Sequence, residues 1–284
     1  MADVHVSDWD SLVNAVSSAA EETNVYLDDD IDLNIEYPTG VPNKVEITTR
    51  ADIYIYGGQH SIKNLYHNRK NYIYVFKGNH VGNSSYYLYL CNINFENVVV
   101  DYCSTNSPTL FEDYVSINEC SISCTLINND SRTQYQTRTL FGSDRVKINR
   151  SSLTITGVGN STAYPCLYFG GDSWYNNIKL LGDFSKIDLN TLYYSYIHGN
   201  FNQKAEGSDV SLFRIGTVAN VINATINMSR MITSAGSSLI LINTDLLTYP
   251  SGCSINDLPE NLIKANNSDM HSVSALQQLG FPIR

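Results

Sequence analysis

Polar and apolar residues follow a helical period at the start of the chain and then change to an alternating one. In SDWDSLVNAVSSAA (7–20), Trp9, Leu12, Val13 and Val16 recur at i, i+3, i+4 and i+7, and Ser7 stands where an N-cap belongs. The pattern predicts an amphipathic helix of about three turns. From VYLDDDIDL onward the period is two, and it stays so for most of the chain, which predicts strands.

The strands repeat. PTLFEDYVSINECSISC (108–124), RTLFGSDRVKINRSSLTI (138–155), PCLYFGGDSWYNNIKLL (165–181), NTLYYSYIHGNF (190–201), VSLFRIGTVANVINATINM (210–228) and SSLILINTDLL (237–247) share one phrase. Each has an apolar and aromatic couplet, a short polar turn, then an alternating run. The couplet leucines fall at 110, 140, 167, 192, 212 and 239, in steps of 30, 27, 25, 20 and 27. Ile-Asn pairs mark the corners and single out Asn118, Asn149, Asn223 and Asn243. Asn tolerates the left-handed conformation of a tight corner, and its amide can bond to the same amide one repeat away.

Strand-rich repeats of this length indicate a solenoid or a propeller. The repeats lack the Gly-His…Trp-Asp signature of a WD40 propeller, and three strands per turn with asparagine corners suit a right-handed parallel β-helix. The expected architecture is therefore all-β: a single-stranded parallel β-helix over residues 45–250. The repeat region gives it about eight rungs, roughly 40 Å of stack at ~4.8 Å per rung. Residues 1–44 would supply the capping helix and first strands, and residues 251–284 a C-terminal cap or attachment segment. In that segment Ser268 precedes Val273, Leu276 and Leu279, then Gly280 and Pro282, the signature of a short helix. TLINNDSRTQYQTR (125–138) and NFNQKAEGSD (200–209) read as projecting loops.

Composition narrows the function classes. A net charge of −10 with only 18 Lys plus Arg leaves no basic footprint for nucleic acid. No apolar run approaches membrane-spanning length, so no membrane partner is expected, and MADVHVSDWD lacks the basic and apolar regions of a secretory signal. Cysteines 91, 103, 120, 124, 166 and 253 form no CxxC pair and no zinc spacing, so reduced, mostly buried thiols are expected. No metal and no cofactor is implied.

The opening helix, LDDDIDLN and YIYGGQHSIKNL together resemble the start of bacteriophage-encoded, pectate-lyase-like β-helix proteins. In those proteins a G-x-G-H-x-I-x-N-L phrase closes an early rung. Here Gly57, Gly58, His60, Ile62, Asn64 and Leu65 carry the match, with Gln59 in place of the usual second glycine. LQQLGFPIR is similar to the endings of small phage structural proteins. The resemblance implies a virion protein: a capsid decoration protein, head fibre or short tail spike. Its implied partners are other virion proteins of the capsid or tail and a bacterial surface polysaccharide, and its implied state is a homo-oligomer, for spikes commonly a trimer. His60 then reads as a turn residue beside Gly57 and Gly58.

Two further groups of residues bear on chemistry. Asp113, Asp144 and Asp172 each follow a couplet closely, so they can stack on successive rungs, with Trp174 and Tyr175 near in sequence. Carboxylates beside an aromatic platform would bind a glycan or a cation. On adjacent rungs, ~5 Å apart, they would suit a retaining glycosidase, and on alternate rungs, about 10 Å apart, roughly an inverting one. Turn phrases such as FED, GSD and GGD explain the same residues without chemistry. The tyrosines at 86–87 and 193–194 and the run YIYVF (72–76) admit a carbohydrate groove or plain packing. The expectation is a non-enzymatic virion structural protein, with no catalytic residue assigned. The alternative is a receptor-binding tailspike with polysaccharide hydrolase or lyase activity.

Overall fold

The computed structural model describes residues 1–36, 46–68, 75–102, 109–128, 140–141, 145–159, 165–171, 174–175 and 178–184. Between 186 and 265 it describes strand backbone only. The chain is all-β in character, built of parallel sheets without a closed barrel. Two short helices lie near its start. α1 spans Trp9–Ser18 and α2 spans Leu33–Glu36.

α1 is shorter than the sequence pattern and begins one residue later. Its N-cap is Asp8, not Ser7: the Asp8 carboxylate accepts from the Ser11 amide at 2.7 Å, and the Ser11 hydroxyl accepts from the Asp8 amide at 3.3 Å. Asp8 prevails because the three-residue spacing to Ser11 completes a reciprocal capping box. The helix buries Trp9, Leu12, Val13 and Val16, the four residues of the periodic stripe.

The first sheet runs Ala2–Val6, Thr23–Leu27, Ile53–Tyr56, Leu88–Cys91, Val115–Asn118, Lys147–Asn149, Trp174–Tyr175. Every neighbouring pair is parallel. The second sheet begins Ile31–Asp32, Ser61–Lys63, Asn94–Tyr102, Ser121–Asn128, Ser152–Val158 and Ile178–Phe184. It continues through Ser195–Gln203, Val218–Asn227, Ser238–Ile242 and Leu262–Ala265. The couplets form a third set of parallel pairs. Glu46–Thr48 pairs with Val75–Lys77, single bridges join Phe76 to Phe111 and Phe111 to Phe141, and Cys166–Gly171 leads to Lys186–Thr191, Leu212–Ile215 and Met231–Thr233. Among the described strands one antiparallel pair occurs, the hairpin of Asn79–Val81 with Ser84–Tyr86.

Register follows the alternation. Ile53, Leu88 and Val115 lie side by side, as do Ile55, Leu90 and Ile117, and all six are fully buried. Parallel in-register stacking puts like on like, so one inward column per position builds the core. Couplet residues Leu110, Leu140 and Leu167 are fully buried, and Phe111 stacks between Phe76 and Phe141 at 5.7 and 6.0 Å. Phe95 meets Phe76 and Phe111 edge-on, and Trp9 of α1 meets Phe76 edge-on at 5.8 Å. The helix thus closes the first end of this aromatic column.

Four expectations need correction or fall outside the described residues. Leu33–Glu36, expected to continue the alternating run, is helical, its start turned by Asp32, whose carboxylate accepts from the Asn34 amide. The expected loops at 125 and 200 begin later, because Ser121–Asn128 and Ser195–Gln203 remain strand. In both, β-compatible residues next to an existing parallel neighbour prolong the ladder. Residues 129–139 and 204–211, and the helix expected after Ser268, lie outside the described residues.

Candidate functional site

Corners decide which side chains reach the surface together. After the first-sheet strands a two-residue corner leads into the second sheet: Asn92-Ile93, Glu119-Cys120 and Arg150-Ser151. The left-handed residue is the first of each pair, Asn92 (φ 53), Glu119 (φ 55) and Arg150 (φ 48). Asn118 and Asn149, expected to be left-handed themselves, close their strands instead, because the corner comes one residue later. Their amides are joined, Asn149 Nδ2 donating to Asn118 Oδ1 at 2.9 Å. Asn223 lies within the strand Val218–Asn227, and Asn243 lies outside the described residues.

The Gly57–His60 segment makes the same passage with four residues. The His60 amide closes a turn on the Gly57 carbonyl at 2.8 Å. A Cβ on Gly57 would sit 2.3 Å from the Asn92 carbonyl oxygen, and Gly58 is left-handed at φ 64, so each glycine has its own reason. Sequence reading finds no carboxylate near His60; the fold brings one. Asp30 lies 3.7 Å from His60 Nδ1, and it accepts from Lys63 Nζ at 2.5 Å and the Ser61 amide at 2.8 Å. Lys63 and that amide hold the Asp30 carboxyl below its ordinary range. The hydroxyl of the next residue, Ser61, donates to Glu96 at 2.8 Å, so it is not arranged as a nucleophile for His60. Asp30 and Lys63 are far apart in sequence, and only the strand register makes them neighbours; the common parity of Asp28, Asp30 and Asp32 was the available signal.

Further inter-strand contacts lie elsewhere on the described surface. Asn97 donates to Asn64 at 2.6 Å and Asn64 to Asp32 at 2.8 Å. Arg150 pairs with Glu119 at 3.1 Å, and both residues are exposed and line two open clefts. On the outer face of the first sheet the rings form a belt. His5 stacks on Tyr26, Tyr26 on Tyr56 at 5.3 Å, and Tyr54 on Tyr89 at 4.3 Å. Beyond them Tyr87 and Tyr114 meet edge-on, His80 stacks on Tyr114, and Lys147 and Arg145 lie over Tyr87 and Tyr114 at 5.3 Å. Burial raises the Tyr54, Tyr56 and Tyr89 phenols above their ordinary value.

A sugar platform needs free ring faces. Stacking along the strand-to-strand direction uses those faces and leaves edges and hydroxyls to solvent, so the geometry favours packing over a carbohydrate groove. Tyr72, Tyr74, Tyr193 and Tyr194 lie outside the described residues.

No family model, curated protein or solved structure matches this chain.

Of the three aspartates expected to stack, only Asp113 lies among the described residues. Asp113 is half-buried at the corner before Val115, and its carbonyl accepts from the Gly78 amide at 2.9 Å. Asp144 and Asp172 lie outside the described residues. Trp174 and Tyr175 form a short strand in register with Lys147 and Ile148. Among the described residues no cluster of His, Cys, Asp or Glu could hold a metal ion, and no helix is long and apolar enough to cross a membrane. Of the thiols, Cys120 and Cys124 are buried and Cys91 half-buried, all free; burial pushes Cys120 up to about 12, the state of a packing residue.

Proposed function

We propose that the chain winds as a right-handed parallel β-helix and serves as a non-enzymatic structural component of a bacteriophage particle, as a decoration protein, head fibre or short spike. One observation carries the structural reading. On the described outer surface, polar and aromatic side chains meet groups of the neighbouring strand: Asn149 to Asn118, Asn97 to Asn64 and Tyr89 to Tyr54 as counterparts, and Lys63 to Asp30 on the diagonal. Groups engaged in such ladders stiffen a stack and leave few hands for substrate.

The winding is supported by the parallel register of successive repeats in each sheet, since parallel strands joined by a crossover are right-handed in ≈ 98% of cases. The phage setting rests on the resemblance of the opening residues and of YIYGGQHSIKNL to phage β-helix proteins. Partners are then other virion proteins, with a host-surface polysaccharide as a contact, and the assembly is a homo-oligomer.

Immunogold labelling of the phage particles with antibody against the chain tests the role; label at a fixed head or tail position supports it, and unlabelled particles overturn it. Reducing-end release from a panel of bacterial surface polysaccharides tests the non-enzymatic part, which sustained turnover overturns. Light scattering separates the assemblies: a mass near three times 31.7 kDa indicates a spike or fibre, a monomer a decoration protein.

A further inference from the structure

Within the tyrosine belt one pair stands apart. Tyr54 and Tyr89 occupy the same register on adjacent parallel strands, their ring centroids 4.3 Å apart and their planes 5° from parallel. Parallel strands in register send both rings off the sheet in the same sense, which places the carbons ortho to the two oxygens on facing rings. Other neighbours are less well placed. Tyr26 and Tyr56 lie 5.3 Å apart at 17°, Tyr87 and Tyr89 5.7 Å apart at 33°, and Tyr54 and Tyr56 6.4 Å apart on one strand.

We propose that Tyr54 and Tyr89 form an oxidative cross-linking site, at which a peroxide, acting through a one-electron oxidant, couples the two rings into dityrosine and joins their strands covalently. Each phenol gives up one electron and one proton to become a neutral phenoxyl radical. A carbon–carbon bond forms between the opposed ortho carbons, and the hydrogens on those carbons move to the oxygens, restoring two phenols. The pair loses two electrons and two protons in all, and one hydrogen peroxide takes them up as two molecules of water.

The belt serves the site in two ways. The half-exposed rings of Tyr26 and Tyr56 continue the stack from Tyr54, so an oxidised ring at the surface lies in contact with the pair. Fixed strand register keeps the two rings opposed through the lifetime of the radicals, whereas mobile surface tyrosines would couple between molecules. The bond would tie Ile53–Tyr56 to Leu88–Cys91 and close the intervening chain into a covalent loop.

The full chain, dilute and folded, treated with hydrogen peroxide and a haem peroxidase, tests the proposal. Expected are dityrosine emission at unchanged monomer mass, a linked peptide pair containing Tyr54 and Tyr89, and a raised melting temperature. Tyr54→Phe and Tyr89→Phe keep the stacked ring but not the phenol, and each should abolish the linked peptide; Tyr26→Phe and Tyr56→Phe should retain it. In urea, where the register is gone, the selectivity for this pair should disappear. Folded monomer with no linked Tyr54–Tyr89 peptide overturns the proposal, and so does dityrosine that maps to another pair or survives both substitutions.

Discussion

Trp9→Ala tests whether α1 seals the end of the core. Trp9 is fully buried, meets Phe76 edge-on at 5.8 Å, and lies at the end of the Phe76–Phe111–Phe141 column. An aromatic side chain of this kind buries roughly 150–250 Å², which at about 25 cal/mol per Å² corresponds to ~4–6 kcal/mol. That figure is an upper bound, because the unfolded chain already hides some apolar surface. Alanine keeps part of the burial, and the cavity it leaves adds a cost, so the expected loss is about 3–5 kcal/mol. Against a total of roughly 5–15 kcal/mol for a domain, that is a large share. Urea unfolding followed by far-ultraviolet circular dichroism measures it, with the exposed Asn14→Ala on the same helix as control, expected within about 0.5 kcal/mol. A Trp9→Ala loss below about 1 kcal/mol would refute the idea that the helix closes the core.

Two other predictions concern the same end of the molecule. Glu36 Oε2 accepts from the Trp9 amide at 2.8 Å, while Oε1 is buried with no hydrogen-bond partner among the described residues. Burial first, then Asp8, Asp10 and Asp32, raise its carboxyl above the ordinary 4.5, against the Trp9 bond, which lowers it. The folded state therefore holds this proton more tightly than the unfolded state. Its contribution to stability grows as pH falls from above the raised value towards 4.5, and is lost as pH rises. Urea midpoints from neutral pH down to that value should show the rise in the native chain and lack it in Glu36→Gln; equal slopes in both would contradict the assignment. At the corner, Gly57→Ala and Gly58→Ala should separate two kinds of cost. Alanine at 57 would drive its Cβ to 2.3 Å from the Asn92 carbonyl oxygen and lose about 3 kcal/mol or more. At 58 nothing lies within 4 Å, and only the left-handed backbone opposes alanine, at about 1–2 kcal/mol. Thermal or urea unfolding of the two variants that ranked them the other way would overturn the corner geometry.

Much of the architecture was legible because it is written in local periodicities. The stripe of Trp9, Leu12, Val13 and Val16 fixes the inner face of α1, and alternation fixes which residues of each strand point inward, since both follow from backbone geometry alone. Repetition of the couplet marked Leu110, Leu140 and Leu167 as equivalent, and all three are core. What the sequence could not determine is anything set by partners far apart along the chain. At the corners after Asn118 and Asn149 the left-handed residue is Glu119 or Arg150, not the asparagine before it, because inter-strand register chooses where the chain turns. The carboxylate beside His60 comes from Asp30, and the ring that stacks on Tyr54 comes from Tyr89. Sequence alone determined the kind of surface, polar and rich in tyrosine. Only the tertiary structure decided which of those groups meet, because parallel pairing brings together residues whose contact costs loop closure and leaves no local trace.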